Sequence, residues 1–148
     1  MQTFIFCSLV CCFAALIAVD AGILPTIGTL QSAGARGKLL CKGKPYLNAK
    51  IKMYDVDTTD FDDLMGETSS DKDGNFIVIG NETELTTIDP KINIYHNCED
   101  EAIECLRKFQ IFLPKDHVAE GARPSKIFDA GVLNLSGKFP GESRDCLN

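Results

Sequence analysis

The sequence predicts an all-β fold, an antiparallel β-sandwich of about seven short strands. Three observations predict it. Apolar residues recur with a period of two in one short run after another, and turn residues separate the runs. No long segment sustains a helical period. Four cysteines follow an apolar leader, so disulfides are expected to supplement a core of modest size.

The leader comes first. Residues 4–19, FIFCSLVCCFAALIAV, carry no charge. The run is shorter than the roughly 20 residues that a membrane-spanning helix needs, and it suits the apolar core of a signal peptide. Val19 and Ala21 are the small residues that precede a cut before Gly22, and no basic flank follows to hold an uncut anchor. Residues 1–21 are therefore read as a signal peptide. The chain is read as secreted, with no transmembrane segment after cleavage. Cys7, Cys11 and Cys12 leave with the leader. Residues 22–35 contain Gly and Ser without a clear period and are expected to form a flexible lead-in. The domain proper is expected over residues 36–148.

Within it, residues 36–41 form the first strand signal, and Lys42-Gly43-Lys44-Pro45 a turn. Residues 47–55 follow, with Ala49, Ile51 and Met53 alternating with Lys50, Lys52 and Tyr54, the mark of a half-buried strand. An acidic connection leads to a third strand over 64–69. Ser70-Asp71-Lys72-Asp73-Gly74 then reads as a hairpin turn into a fourth strand over 75–79. Residues 82–89 are ambiguous and admit a helical turn. Pro90 opens a strand over 91–98 that turns Ile92, Ile94 and His96 to one side. Residues 106–113 form the next, with Phe109, Ile111 and Leu113 on one face, and Pro114 ends it. Residues 115–121 are a short helix or loop. The last strand is 127–135.

Composition narrows the function. The net charge is -6, with 15 Lys and Arg scattered among 21 acids, there is no Trp, and Tyr numbers three. That excludes nucleic acid as a partner, which requires a basic face and stacking residues. No glycine-rich nucleotide loop is present. Cys41, Cys98, Cys105 and Cys146 form no CxxC pair, so two disulfides are preferred to a zinc site. Cys41 with Cys98 and Cys105 with Cys146 is the favoured pairing, the second tying down a tail that lacks apolar anchors; Cys98 with Cys105 across a hairpin stays open. Two glycosylation sequons occur. Asn81-Glu82-Thr83 follows a glycine in a turn-like stretch and is the better acceptor. Asn134-Leu135-Ser136 sits within a strand signal.

These residues resemble the nematode transthyretin-like family. The likeness begins at Arg36-Gly37-Lys38-Leu39-Leu40-Cys41 with Gly43-Lys44-Pro45, then Lys52-Met53-Tyr54-Asp55 and Asp62-Asp63-Leu64-Met65-Gly66-Glu67. It continues through Asp71-Lys72-Asp73-Gly74-Asn75-Phe76. Its most distinctive part is Glu84-Leu85-Thr86-Thr87-Ile88-Asp89-Pro90 followed by Ile94-Tyr95-His96-Asn97-Cys98. Phe128-Asp129-Ala130-Gly131, Leu133-Asn134-Leu135 and Phe139-Pro140-Gly141-Glu142 complete it. The resemblance implies a transthyretin or prealbumin-like Greek-key sandwich and an exported protein. The roles it implies are carriage of small apolar ligands or bridging of lipid and protein surfaces; homo-oligomers are compatible with it. It also implies Cys41 with Cys98 as the family's recurring pair, and Cys105 with Cys146 as an addition found in a subset.

The hydroxyisourate hydrolases related to transthyretin need a His and Arg constellation and a Tyr-Arg-Gly-Ser-type C-terminus. This chain ends Arg144-Asp145-Cys146-Leu147-Asn148 and has only His96 and His117, so an enzyme of that type is not expected. Thyroid-hormone channel residues are not matched either. His96 is read as a strand-end histidine hydrogen-bonded beside Cys98, with titration near neutrality as its reserve property. Asp55, Asp57, Asp60, Asp62 and Asp63, and the loop from Asp71 to Glu82, are read as solvated acidic turns rather than calcium ligands; no metal and no cofactor are expected. Lys42, Lys44, Lys50 and Lys52 are the candidate patch for anionic lipid, against a plain solvated face. The expectation is a secreted binding protein for an apolar ligand, anionic lipid or cell-surface protein. The alternative is a structural or matrix-associated protein without a small ligand.

Overall fold

A computed structural model describes residues 27–57 and 61–147. Among the described residues, ten strands lie in two stacked sheets. They are β1 (Thr29–Cys41), β2 (Lys44–Pro45), β3 (Lys50–Asp55), β4 (Asp63–Ser69), β5 (Asn75–Glu84), β6 (Pro90–His96), β7 (Leu106–Phe112), β8 (Ala119–Glu120), β9 (Phe128–Asn134) and β10 (Ser143–Asp145). The first sheet is built on β1, which pairs with β2, β5, β8 and β9; the second runs β10-β7-β6-β3-β4. All pairs are antiparallel except β1 with β9, which is parallel. The chain alternates between the sheets in Greek-key fashion.

The period-two runs become strands because each offers one apolar face to the space between the sheets. Ile51 and Met53 of β3, Ile92 and Ile94 of β6, Phe109 of β7, and Phe76 and Val78 of β5 meet there, all buried. Each such side chain contributes roughly 1.5–3 kcal/mol by leaving water. β6 is buried on both faces. On its outward side Lys91 pairs with Asp62, the Asn93 amide donates to the Tyr95 hydroxyl (3.2 Å), and the Lys52 ammonium lies 5.8 Å from the Tyr95 ring centre. Lysine stems thus roof a strand that has no second sheet above it.

The lead-in expected over residues 22–35 is corrected. Thr29 to Ala35 belong to β1, in register with β5 from Thr29 opposite Glu84 to Lys38 opposite Asn75. Ala33 and Ala35 are fully buried. Small residues fill this half of the strand, so the period is present while its hydrophobic contrast is weak. Residues 1–21, the expected signal peptide, lie outside the described residues, as do 22–26.

The hairpin expected at residues 70–74 is also corrected. β4 and β5 belong to different sheets. The Asp71 carboxylate accepts the N–H groups of Asp73 and Asn75 (both 2.9 Å), which shapes the turn. Ser70 meanwhile keeps the end of β4 with β3: its hydroxyl accepts from the Ala49 N–H (2.9 Å) and donates to the Tyr46 carbonyl (2.6 Å). The turn therefore carries the chain round a corner of the sandwich. Two glycines close that corner. A Cβ on Gly66 would stand 2.4 Å from the Ile79 carbonyl oxygen, and one on Gly80 2.5 Å from Met65 Cβ. Residues 82–84 extend β5, the helical segment is a single 3₁₀ turn at Lys115–His117, and β10 ends the chain with a strand that its polar residues do not announce.

Candidate functional site

One end of the sandwich is closed by covalent and ionic links. Cys41 is bonded to Cys98 and Cys105 to Cys146, with Cα atoms 5.8 and 4.1 Å apart. Between these bridges Arg107 of β7 points inward. Its Nε and Nη2 donate to the two carboxylate oxygens of Glu142, both at 2.8 Å, and both side chains are nearly buried. The remaining N–H groups reach the carbonyls of Cys98 (3.2 Å), Leu135 (3.1 Å) and Gly137 (2.6 Å). The guanidinium holds the Glu142 carboxyl below its usual range, and that same hydrogen bond pushes the arginine up. A buried pair with its donors used this fully is an internal clamp.

His96 stands beside it, 1% exposed. The Cys98 N–H donates to its Nδ1 (3.3 Å), which places the ring proton on Nε2. Burial first, and then Arg107, pushes the imidazole down to about 4. Tyr46 and Phe109 meet the ring edge-on at 6.3 and 6.0 Å. His96 is therefore neutral at pH 7 and packed as an aromatic residue, with Nε2 unpartnered among the described residues. His117 lies on the 3₁₀ turn, where Nδ1 meets Asp116 at 3.0 Å.

The four candidate lysines divide between the sheets. Lys42 and Lys44 belong to the β1–β2 hairpin, and Lys42 pairs with Glu99 (3.4 Å). Lys50 and Lys52 lie on β3, with Lys52 opposite Glu67 of β4. The acidic residues divide too. Asp62 serves Lys91, Asp60 lies outside the described residues, and Asp55 and Asp57 are joined by Glu84 from β5, with carboxylate oxygens within 4.8 Å of one another. Asp55 is a buried structural acceptor for the Asp89 N–H (2.6 Å), and burial followed by its acidic neighbours pushes its carboxyl up.

The outer face of the first sheet differs in kind. β5 turns Phe76 and Val78 inward and leaves Ile77 and Ile79 54% and 47% exposed. Across it, β1 presents Arg36 and Lys38, and β9 presents Asp129 and Val132. Arg36 and Asp129 form an ion pair at 3.0 Å with both side chains more than half exposed. Arg36 is a ridge between two shallow grooves. One, of about 370 Å³, runs from Asn75 and Phe76 past Lys38 to Val132. The other, of about 340 Å³, lies over Thr68, Ser69, Asn75 and Ile77. Both grooves are open and shallow, and Asp71 also borders the second. They offer lysine and arginine stems, an aromatic edge and branched apolar side chains, which suits an apolar guest with a polar end.

Asn81 continues the exposed row of β5 beyond Ile79; it lies in a strand, not in the turn its glycine suggested. Asn134, at the end of β9, is exposed, and its carboxamide oxygen accepts the Ser136 N–H (3.3 Å). Sequence reasoning missed the Arg107–Glu142 clamp. A signal existed: Arg107 shares strand parity with Phe109 and Ile111, and a charge on an inward row requires a partner.

Residues 36–114 match the profile of the Transthyretin-like family. The chain is similar to Transthyretin-like protein 5 of Caenorhabditis elegans, with 47% identity over 134 residues covering 90% of this chain and 96% of that protein. Transthyretin-like protein 33 of the same organism is 45% identical over 119 residues, covering 80% of this chain and 83% of the relative. Among solved structures, a 9R-lipoxygenase from Cyanothece aligns over 71% of this chain and 16% of its own at 17% identity and a TM-score of 0.40, too low to carry an argument.

Proposed function

This chain belongs to the transthyretin-like family, and from that premise we propose that it is an exported, non-enzymatic binding protein whose first sheet receives an apolar ligand. The carrying observation is the pair of grooves beside Arg36, where Ile77 and Val132 meet solvent above the buried Phe76. Exposed apolar surface of this kind on an otherwise polar sheet marks a contact site. Arg36 and Lys38 supply the polar end of the site, so the favoured guest is an apolar molecule bearing an anionic or hydrogen-bonding head. An apolar segment of a cell-surface partner satisfies the same chemistry.

Native mass spectrometry of protein collected from the medium tests the reading. It should detect a carried apolar molecule, or take up an added fluorescent fatty acid at a stoichiometry of one or less per groove. Val132→Asp should weaken that uptake at least tenfold without loss of the fold. Uptake insensitive to Val132→Asp but weakened by Ile77→Ser would place the guest in the second groove, and uptake insensitive to both would overturn the site. No uptake at all would favour a structural or matrix-associated role.

A further inference from the structure

The sequon Asn81-Glu82-Thr83 lies on the same strand row as the exposed apolar residues. On β5 the inward row is Phe76, Val78 and Gly80, and the outward row is Asn75, Ile77, Ile79 and Asn81. Same-row residues are about 7 Å apart along a strand. Asn81 therefore projects from the end of an isoleucine strip, at one strand step from Ile79 and two from Ile77. Beside it the outer side of β1 is covered: Ser32, opposite Asn81, and Gly34 are both buried. Gly34 of β1 stands opposite Ile79 and has no side chain. A Cβ there would meet Ile127 Cδ1 at 2.5 Å, Pro124 Cγ at 3.1 Å and Ile79 Cγ1 at 3.4 Å, so these three side chains converge over Gly34 into an apolar saddle next to Asn81. The grooves open at the other end of the face, around Arg36.

We propose that Asn81 is N-glycosylated and that its glycan lies over the Ile79 saddle, preventing the outer face of the first sheet from stacking on a second copy of the chain. The proposal rests on the export reading above. The co-reactant is a lipid pyrophosphate-linked oligosaccharide. Asn81 Nδ2 attacks C1 of the reducing-end sugar, forming a C1–N bond and breaking the C1–O bond to the lipid pyrophosphate, which leaves as the anion; the carboxamide gives up one N–H proton. Glu82 at the middle position permits this, since only proline is excluded there.

The sugars have a particular fit to this place. One face of a hexose ring is lined by C–H groups, which suits contact with Ile79, Pro124 and Ile127, while its hydroxyls face water. A strand row with exposed isoleucines is otherwise open to packing against a second copy. A glycan anchored at Asn81 covers the saddle and holds a second sheet away, but leaves the Arg36 grooves, two strand steps from Asn81 and one from the saddle, open to a small guest. The second sequon is differently placed. The Ser136 hydroxyl accepts the Lys42 N–H (2.8 Å) and stands 3.9 Å from Cys98 Sγ, within the disulfide end of the fold.

The full chain is expressed in a secreting eukaryotic cell, and protein from the medium and the cell lysate is digested with and without an amide-cleaving glycosidase. The peptide carrying Asn81 should appear in the medium as a glycopeptide, and the glycosidase should leave it sugar-free with an aspartate at the sequon position. Secreted protein with unmodified Asn81 overturns the glycan while sparing the export reading. Retention in the cytosol overturns both. Asn81→Gln should then raise the weight-average mass in sedimentation toward twice the monomer as concentration rises, whereas Thr83→Ser, which keeps the sequon, should not. Adding Ile77→Ser and Ile79→Ser to Asn81→Gln should restore the monomer. An Asn81→Gln protein that stays monomeric at all concentrations overturns the shielding role.

Discussion

The disulfide end of the sandwich and the outer face of its first sheet handle polar groups in opposite ways. At the disulfide end, charge is buried and paired: Arg107 has Glu142 and three carbonyls, beside a neutral His96 that takes the Cys98 N–H on Nδ1. On the outer face, Arg36 and Asp129 form an exposed pair beside isoleucines that are about half exposed. Exposed pairs of that kind add little to stability. The difference teaches where to look for function. Polar groups saturated by the fold hold the fold, and groups left open beside exposed apolar surface are free to serve a guest.

The comparison is tested hardest at Arg107. Arg107→Leu leaves Glu142 buried without its cation and three carbonyls without a donor. Losing one partner of a buried pair costs about 3–5 kcal/mol. Urea unfolding should show a loss of that size; a loss under about 1 kcal/mol would mean that the clamp is only decoration. Next comes Cys41→Ser with Cys98→Ser. The bridge closes a separation of 57 residues, for which the chain-entropy model assigns about 4 kcal/mol, an upper figure. The double variant should unfold at correspondingly lower urea, and its apolar-probe affinity, measured at low temperature where it is still folded, should be unchanged.

Acid probes the same end. The folded pKa of His96 is lowered to about 4 from 6.5, so as pH falls from about 6.5 to 4 the unfolded chain takes up the proton first and stability declines. The full span corresponds to roughly 3 kcal/mol. Glu142 has a depressed pKa, so its contribution is present above the unfolded carboxylate value and is lost only as pH falls through its lower folded one. His96→Phe should flatten the slope of unfolding free energy between pH 6.5 and 4, whatever it does to stability at pH 7. An unchanged slope would show that the imidazole does not resist protonation.

Much of this architecture was legible in residue order. Alternation at Ala49, Ile51 and Met53, and at Ile92, Ile94 and His96, marks strand faces that the structure buries. The motifs from Arg36 to Cys98 that carry the resemblance to transthyretin-like proteins lie within the span the family profile matches, while those at residues 128–142 lie beyond it. What escaped depended on distant partners. Ala33 and Ala35 look featureless until β5 and Phe128 lie opposite them. The turn at Asp71 to Gly74 has hairpin chemistry, and only the hold of Ser70 on Tyr46 and Ala49 turns it into a corner. The outer-face grooves combine side chains from β1, β4, β5 and β9. No single run of sequence contains them.

The smallest expected change in stability is the one that most sharpens the contrast. Ile77 is 54% exposed and borders the groove over Thr68 and Ser69. Ile77→Ser removes apolar atoms that are already largely in water, so unfolding free energy should move by no more than about 0.5 kcal/mol. In a complex those atoms become buried against the guest. Losing roughly 1.5 kcal/mol of that burial corresponds to about a tenfold weaker affinity. Stability and binding thus separate at one residue: calorimetric unfolding should barely respond, while titration with a fluorescent fatty acid should shift by about an order of magnitude. At Phe109, buried in the core beside His96, the order reverses, and Phe109→Ala should cost about 3–5 kcal/mol in stability before any effect on the groove is seen. Should Ile77→Ser instead destabilise the fold like a core truncation, the outer face would belong to the same load as the disulfide end, and the distinction between them would collapse.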